Sequence, residues 1–552
     1  MASNRTIIYQ VLPRLYGNSC RTRKPDGSIE ENGCGKLNAF TPSVLKQIRE
    51  MGATHIWYTG IIRHATTTDY SAYGIPCQHP AVVKGKAGSP YAIADYYDID
   101  PDLAVDVASR MDEFERLVAR THRARLKVVL DFVPNHVARQ YHSIAKPEGV
   151  RDLGEDDNPT MGFDPEHNNF YYCPGQPFTP YFDLYHGAKE PYAEMPAKAT
   201  GNDHFDNAPG RHDWYETVKL NYGVDYYAGE TPSSFHLNQA QLSDLQKLSA
   251  HLSTWQKMRD ILLFWAAKGV DAFRCDMAEM VPVAFWTWAT AEVKAQFPDV
   301  QFIGEVYNPA LYRQYIAAGF DYLYDKVGMY DALCDVLCHR RNVDAITQAW
   351  QQTDDISTHM LYFMENHDEL RLASDFMVGK GERALPAVAV STLLRQNPFM
   401  LYFGQEWGEH GMDTEGFSGH DGRTTIFDYW SLMPPEAETS ALTETYRTLL
   451  NIARSERAVT EGKMFDLMYV NQHLHRQYAF LRCASEKDLL LVVVNFEDAP
   501  AEFDLNIPDH AYKYLGIDRR DYEAVDLLTG QRFAPLTLHF ELPPRASQVL
   551  KC

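Results

Sequence analysis

Short apolar runs alternate with amphipathic helical stretches along the first four-fifths of this 552-residue chain. After the opening IIYQVLP come THIWYTGII (54–62), KVVLDFV (127–133), VDAFRCD (270–276), VQFIGEV (300–306), DYLYD (321–325), HMLYFMEN (359–366) and PFMLYFG (398–404). Between them lie TPSVLKQIREMG, with Thr41 placed as a cap and Pro42 in the first turn, and MDEFERLVARTHRARL. A long LSDLQKLSAHLSTWQKMRDILLFWAAKG ending at Gly269, FWTWATAEVKAQF, and stretches near 309–318, 330–352 and 381–396 follow. Continuous apolar strands joined by helices are parallel strands covered on both faces. Their number is near eight, which favours a closed (β/α)8 TIM barrel over an open sheet.

Two stretches leave this pattern. From 137 to 238 the chain is rich in Pro, Gly, Asn, Asp and Tyr and has little periodicity. That is too long for a loop in a compact unit, so a subdomain inserted after the third strand is expected. From about 440, one helical stretch precedes YAFLRCA, DLLLVVVNF, AEFDLNI and LTLHFELPPRASQVLKC, which read as hairpin-spaced strands of a C-terminal antiparallel β-sandwich domain. The expected division is an α/β barrel over 1–136 and 239–438, the insertion over 137–238, and the β domain over 439–552.

A formal charge of −22 argues against a nucleic-acid or anionic-membrane partner and leaves a neutral ligand. No apolar run is long enough to span a bilayer. MASNRTIIYQVLPRLYG lacks the basic start and apolar core of a signal peptide, and nine scattered cysteines show no CxxC or zinc spacing. A cytoplasmic, reducing setting is expected. Cys334 and Cys338 read as packing residues. The aromatic clusters Tyr171-Tyr172, Tyr226-Tyr227 and Trp286/Trp288 suit pyranose faces but fit a core equally well.

The polar residues fall at the strand ends. KVVLDFVPNHV ends on Asp131, Asn135 and His136; VDAFRCD on Arg274 and Asp276; QFIGEV on Glu305; LYFMENHDE on Asn366, His367 and Asp368. In a barrel those C-terminal ends surround one site. Arg274 and Asp276 are two apart, so a strand aims both at one place. The strand ends carry no HxH or HExxH pair for a catalytic metal; the HLH at 473–475 falls in the C-terminal β stretch. Paired carboxylates fit glycoside hydrolysis, in which one attacks the anomeric carbon and the other protonates the leaving oxygen. Arg274 would keep Asp276 ionised, and Glu305 would have to start protonated.

These stretches, in this order, resemble the α-amylase family of retaining α-glucan-active enzymes. DFVPNH, GVDAFRCD, GEV and FMENHDE are similar to its conserved stretches after the third, fourth, fifth and seventh strands, and SPYAIADYYDIDP to the segment bearing a sugar-stacking tyrosine, here Tyr91. The likeness spans about residues 5–435. It implies Asp276 as nucleophile, Glu305 as general acid/base and Asp368 as the residue binding the sugar 2- and 3-hydroxyls. It further implies substrate contacts from Tyr91, His136, Arg274 and His367, with Asp131 and Asn135 as structural support. The implied partner is an α-glucan or maltooligosaccharide, and no organic cofactor is implied.

The departures bear on metal and specificity. Many starch-acting members have Lys-His shortly after the nucleophile, serving a +2 subsite and a calcium ion; here Glu279 and Met280 stand there, although Asn135 is present. Asp156, Asp157 and Asp164 are acids of the insertion able in principle to bind calcium, and read better as solvated loop acids. ENGCGKLNAF lacks the acid spacing of a metal loop. No bound metal is therefore assigned. VKLNYGVDY (218–226) only loosely resembles the family's fifth conserved stretch. Hydrolysis of α-1,4 links is the first reading. Transglycosylation or isomerisation on the same site, α-1,6 cleavage, and a non-catalytic sugar-binding barrel are the alternatives; the three acids weigh against the last.

Overall fold

The computed structural model describes residues 5–182, 190–233, 235, 252–412, 422–432, 441–520 and 522–552. Eight parallel strands close into a barrel: β1 (Ile7–Val11), β2 (His55–Tyr58), β3 (Lys127–Phe132), β4 (Ala272–Cys275), β5 (Gln301–Gly304), β6 (Tyr322–Tyr324), β7 (Met360–Phe363) and β8 (Phe399–Tyr402). β8 pairs with β1 and shuts the ring. Nearly every residue of these strands is buried, because side chains fill the lumen on one face and meet the helices on the other. The helix Pro42–Glu50 starts as its sequence dictates: the Thr41 hydroxyl accepts from the Val44 N–H and Pro42 occupies the first turn.

Several elements are shorter than their apolar patterns. The run 54–62 is cut at Gly60, whose φ of 77° ends β2; Ile62–His64 then pairs antiparallel with Ile93–Ile99. The helix ending at Gly269 spans Ser253–Ala267, because Leu252 is extended (φ −108°, ψ 92°); the earlier part, 242–251, lies outside the described residues. The stretch 330–352 divides into Asp331–Leu337 and Asp344–Gln352, with His339 left-handed between them, and 381–396 narrows to a turn and Leu385–Leu393.

Between β3 and Ser253 the described chain makes two small antiparallel pairs. Tyr172–Cys173 pairs with Ala197–Lys198, and Thr217–Lys219 folds back onto His136–Ala138, setting Lys219 opposite His136. At the C-terminus, six antiparallel strands form one sheet in the order Lys463–Asp466, Gln477–Ser485, Asp488–Asn495, Ser547–Lys551, Ala524–Asp526, Arg532–Phe533, and Ala501–Asp504 pairs with His539–Leu542 beside it. Among the described residues no helix is long and apolar enough to cross a membrane.

Candidate active site

Strand register sets the height of the polar groups. Arg274 in β4 lies opposite Asp131 in β3, and Cys275 lies opposite Gly304 in β5. One residue further on, Asp276 and Glu305 leave their strands at the same level, the Asp276 N–H bonding to the Phe132 carbonyl and the Glu305 N–H to the Cys275 carbonyl. Gly304 is required here, since a Cβ would stand 2.8 Å from the side chains of Leu323 and Phe320.

Arg274, with 0% of its surface exposed, is the hub. Its Nη1 donates to Asp276 Oδ1 at 2.6 Å and lies 3.6 Å from Asp131 Oδ1; its Nη2 is 2.9 Å from Glu305 Oε2. Nε donates to the Tyr324 hydroxyl at 3.2 Å, and the guanidinium faces the rings of Trp57 and Tyr91. Burial raises the Asp276 carboxyl well above the ordinary carboxylate range; Arg274 opposes that rise, and Glu305 and Asp131 add to it. The ionising effect expected of Arg274 is therefore present but outweighed by burial. Asp131 is pushed up to about 7, again chiefly by burial, while Arg274 and the Trp57 indole N–H at 2.8 Å pull it down. Asp131, Asp276 and Glu305 thus outnumber the one guanidinium they surround.

Glu305 is gripped on both oxygens. Oε2 accepts the Met277 N–H at 2.7 Å, and Oε1 accepts the Tyr307 hydroxyl at 2.5 Å. Met277 reaches this position with φ 44° and ψ 40°, a left-handed conformation costing about 1 kcal/mol or more in a residue other than glycine. Glu279 completes the clamp: its Oε2 accepts the N–H groups of Tyr307 and Asn308 at 2.7 and 2.8 Å. The turn after β4 thus holds the carboxylate after β5 directly through Met277 and indirectly through Glu279.

On the far side His367 stacks on Tyr91, ring centres 5.1 Å apart, and meets Trp57 edge-on. The Gln10 amide nitrogen faces its Nδ1 at 2.9 Å, so Nδ1 accepts and the proton sits on Nε2, which faces the Tyr91 hydroxyl. Burial, helped by Arg274, lowers His367 well below the ordinary histidine range, so the ring is neutral. Asp368 is 3.1 Å from His367 Nε2 and 42% exposed, the open member of the set. His136 is buried against Trp214 with Nδ1 facing the Asn135 amide nitrogen at 3.1 Å; burial, then Lys219 and Lys84, lowers it to about 3. The Asn135 amide also donates to the Gly201 carbonyl at 2.8 Å, and its oxygen accepts from the Lys219 ammonium.

The structure thus brings Asp131, Arg274, Asp276 and Glu305 into direct contact, with Tyr91, His367 and Asp368 on one flank. Asn135 and His136 join at the seam with the inserted segment. Gln10, Trp57, Lys219, Glu279 and Tyr307 complete the site, and sequence reasoning gave none of them its contact. Glu279 was visible as a departure from the family pattern, and Lys219 lies inside VKLNYGVDY; Gln10 and Trp57 sit in apolar runs that carry no signal. The acids of the insertion go elsewhere: Asp156 pairs with Arg151, Asp157 accepts the N–H groups of Asn169 and Phe170, and Asp164 those of Glu166 and His167. Of the aromatic clusters, Tyr171, Trp286 and Trp288 are core, while Tyr227 is half-exposed.

The family model for the α-amylase catalytic domain matches residues 10–446. A cyclomaltodextrinase from Geobacillus thermopakistaniensis is 23% identical over 559 residues, covering 98% of this chain and 75% of the relative. Among solved structures, an α-amylase from Geobacillus thermoleovorans complexed with acarbose superposes with a TM-score of 0.63 at 18% identity, over 100% of this chain and 98% of that one. A maltogenic α-amylase from Thermotoga neapolitana gives 0.62 at 19%, over 100% and 99%.

Proposed function

The chain belongs to the α-amylase family of glycoside hydrolases, and from that premise we propose that it cleaves α-1,4-glucosidic bonds of maltooligosaccharides, starch or glycogen with retention of configuration. The observation that carries this reading is the pair of carboxyls on one guanidinium, Asp276 at 2.6 Å and Glu305 at 2.9 Å from Arg274. Asp276 attacks the anomeric carbon while Glu305 hands its proton to the departing glycosidic oxygen; the C1–O bond breaks and a glycosyl ester forms on Asp276. Water, giving its proton to Glu305, then attacks the same carbon and frees Asp276. Asp368 takes the 2- and 3-hydroxyls of the distorted ring. Neutral His136 and His367 donate to that ring, and Tyr91 lies against its apolar face. Arg274 orients Asp276 throughout, while Asp131 and Asn135 brace the two flanks. The named relatives include a cyclomaltodextrinase and a maltogenic amylase, which favours short maltodextrins as substrates.

The test is a chromatographic product profile from maltopentaose, with Asp276→Asn as the control. Shorter sugars from the wild type and none from the variant support the proposal. Products longer than the substrate would assign the site to transglycosylation instead.

A further inference from the structure

Lys219 is 2% exposed, yet no part of the reaction uses it. It ends the strand Thr217–Lys219 directly opposite His136. Its ammonium bonds the side-chain oxygen of Asn135, the residue before His136, and lies 2.7 Å from Asp203 Oδ1 in the inserted segment. The Tyr226 ring, 5.3 Å away, closes a third side. Both accepting oxygens have defined settings: the Asn135 amide nitrogen is anchored on the Gly201 carbonyl, which turns its oxygen toward the lysine, and Asp203 sits at φ 66°.

A pair of side-chain oxygens, one from the barrel loop and one from the insertion, is the kind of donor set that a calcium ion, such as many starch-acting members of the family hold, would bridge. The residues present do not fit it. Calcium takes six to eight oxygens at about 2.3–2.6 Å. Here the ammonium already occupies the point between the two oxygens, a buried cation beside it would meet uncompensated repulsion, and an aromatic ring fills a side where oxygens would be needed. Among the described residues no group of three or more His, Cys, Asp or Glu side chains is arranged to hold a metal.

We propose that Lys219 is a built-in monovalent cation that ties the inserted segment to the His136 loop, so that this junction requires no calcium. The ammonium supplies three directed N–H donors and one charge where a divalent ion would supply two charges and a coordination shell. Because the cation is covalently part of the chain, chelators cannot remove it.

The experiment is thermal unfolding of the full chain in EDTA and in excess calcium chloride, for wild type, Lys219→Met and Asp203→Asn. These readouts hold whichever glucan is the substrate, so they stand apart from the functional assignment. Wild type is expected to unfold at the same temperature in both buffers. Lys219→Met keeps the length of the stem and removes the charge, and is expected to lower the midpoint by about 3–4 °C, as breaking a buried pair does. Asp203→Asn is expected to lose less, and the double variant no more than Lys219→Met. An EDTA-sensitive wild type restored by calcium would overturn the proposal. So would a Lys219→Met protein as stable as wild type, or losses from the two single variants that simply add.

Discussion

Two arginines, Arg274 and Arg371, are equally buried at 0% exposure and lie on the same side of the barrel, yet they are used in opposite ways. Arg371 closes its own account: Nη1 donates to Glu365 Oε2 at 2.8 Å and to the Phe403 carbonyl at 2.9 Å, and Nε to Thr424 at 2.8 Å. The other oxygen of Glu365 takes the Leu372 N–H. One charge meets one charge, Nε and Nη1 also meet neutral acceptors, and Nη2 has no hydrogen-bond partner among the described residues. Arg274 is instead in contact with three acids, Asp131, Asp276 and Glu305. A matched pair locks loops together, whereas three acids around one arginine hold more carboxylate than that cation can neutralise. Composition is similar in the two places, and stoichiometry separates structure from chemistry.

The comparison predicts where each substitution should be felt. The largest effect is expected from Asp276→Asn, with turnover of maltooligosaccharides falling about 10⁴-fold or more while thermal unfolding stays near wild type. Steady-state kinetics checks this, and retention of most activity would remove Asp276 as nucleophile. Glu305→Gln should cost about 10²–10⁴-fold on natural glucans and much less on aryl glycosides with good leaving groups, since only the former need protonation. Equal losses on both substrates would count against Glu305 as the acid.

Arg371→Met tests the other arginine. It leaves Glu365 buried without its partner and should cost about 3–5 kcal/mol in denaturant unfolding, with kcat preserved in the fraction that remains folded. If it lost turnover without losing stability, the contrast between the two arginines would fail. Glu279→Gln weakens the clamp behind Glu305 and should lower kcat about tenfold, with KM nearly unchanged. A raised KM with normal kcat would instead make Glu279 a substrate contact.

A further effect is a pH slope. Burial raises Glu365 and Glu406 from the ordinary 4.5 to about 7. Folded, each binds its proton more tightly than when unfolded. Neither costs stability below about pH 4.5; the cost grows as pH rises to about 7 and is constant above it. Glu406→Gln, which keeps an acceptor for the Tyr9 hydroxyl, should flatten stability across that window, as measured by unfolding at a series of pH values.

The sequence determined the alternation of parallel strands and helices, because strands buried on both faces must be apolar along their whole length. It also placed the ionisable residues of the candidate site at or beside strand ends, where an apolar run gives way to polar groups. Asp131, Arg274, Asp276, Glu305, His367 and Asp368 were legible for that reason. The breaks at Gly60, Leu252 and His339 were not, since an apolar pattern continues through a residue whose backbone turns. Nor were the partners of Glu305 and Asn135: Met277 acts through its backbone N–H, Glu279 through two amides across the β4–β5 gap, and Lys219 from 84 residues along the chain. Those contacts depend on barrel closure and on the fold-back of the insertion, which place distant segments within hydrogen-bonding reach. A side chain's type is written in the sequence, whereas which charges share one cation, and how many, is set by tertiary structure.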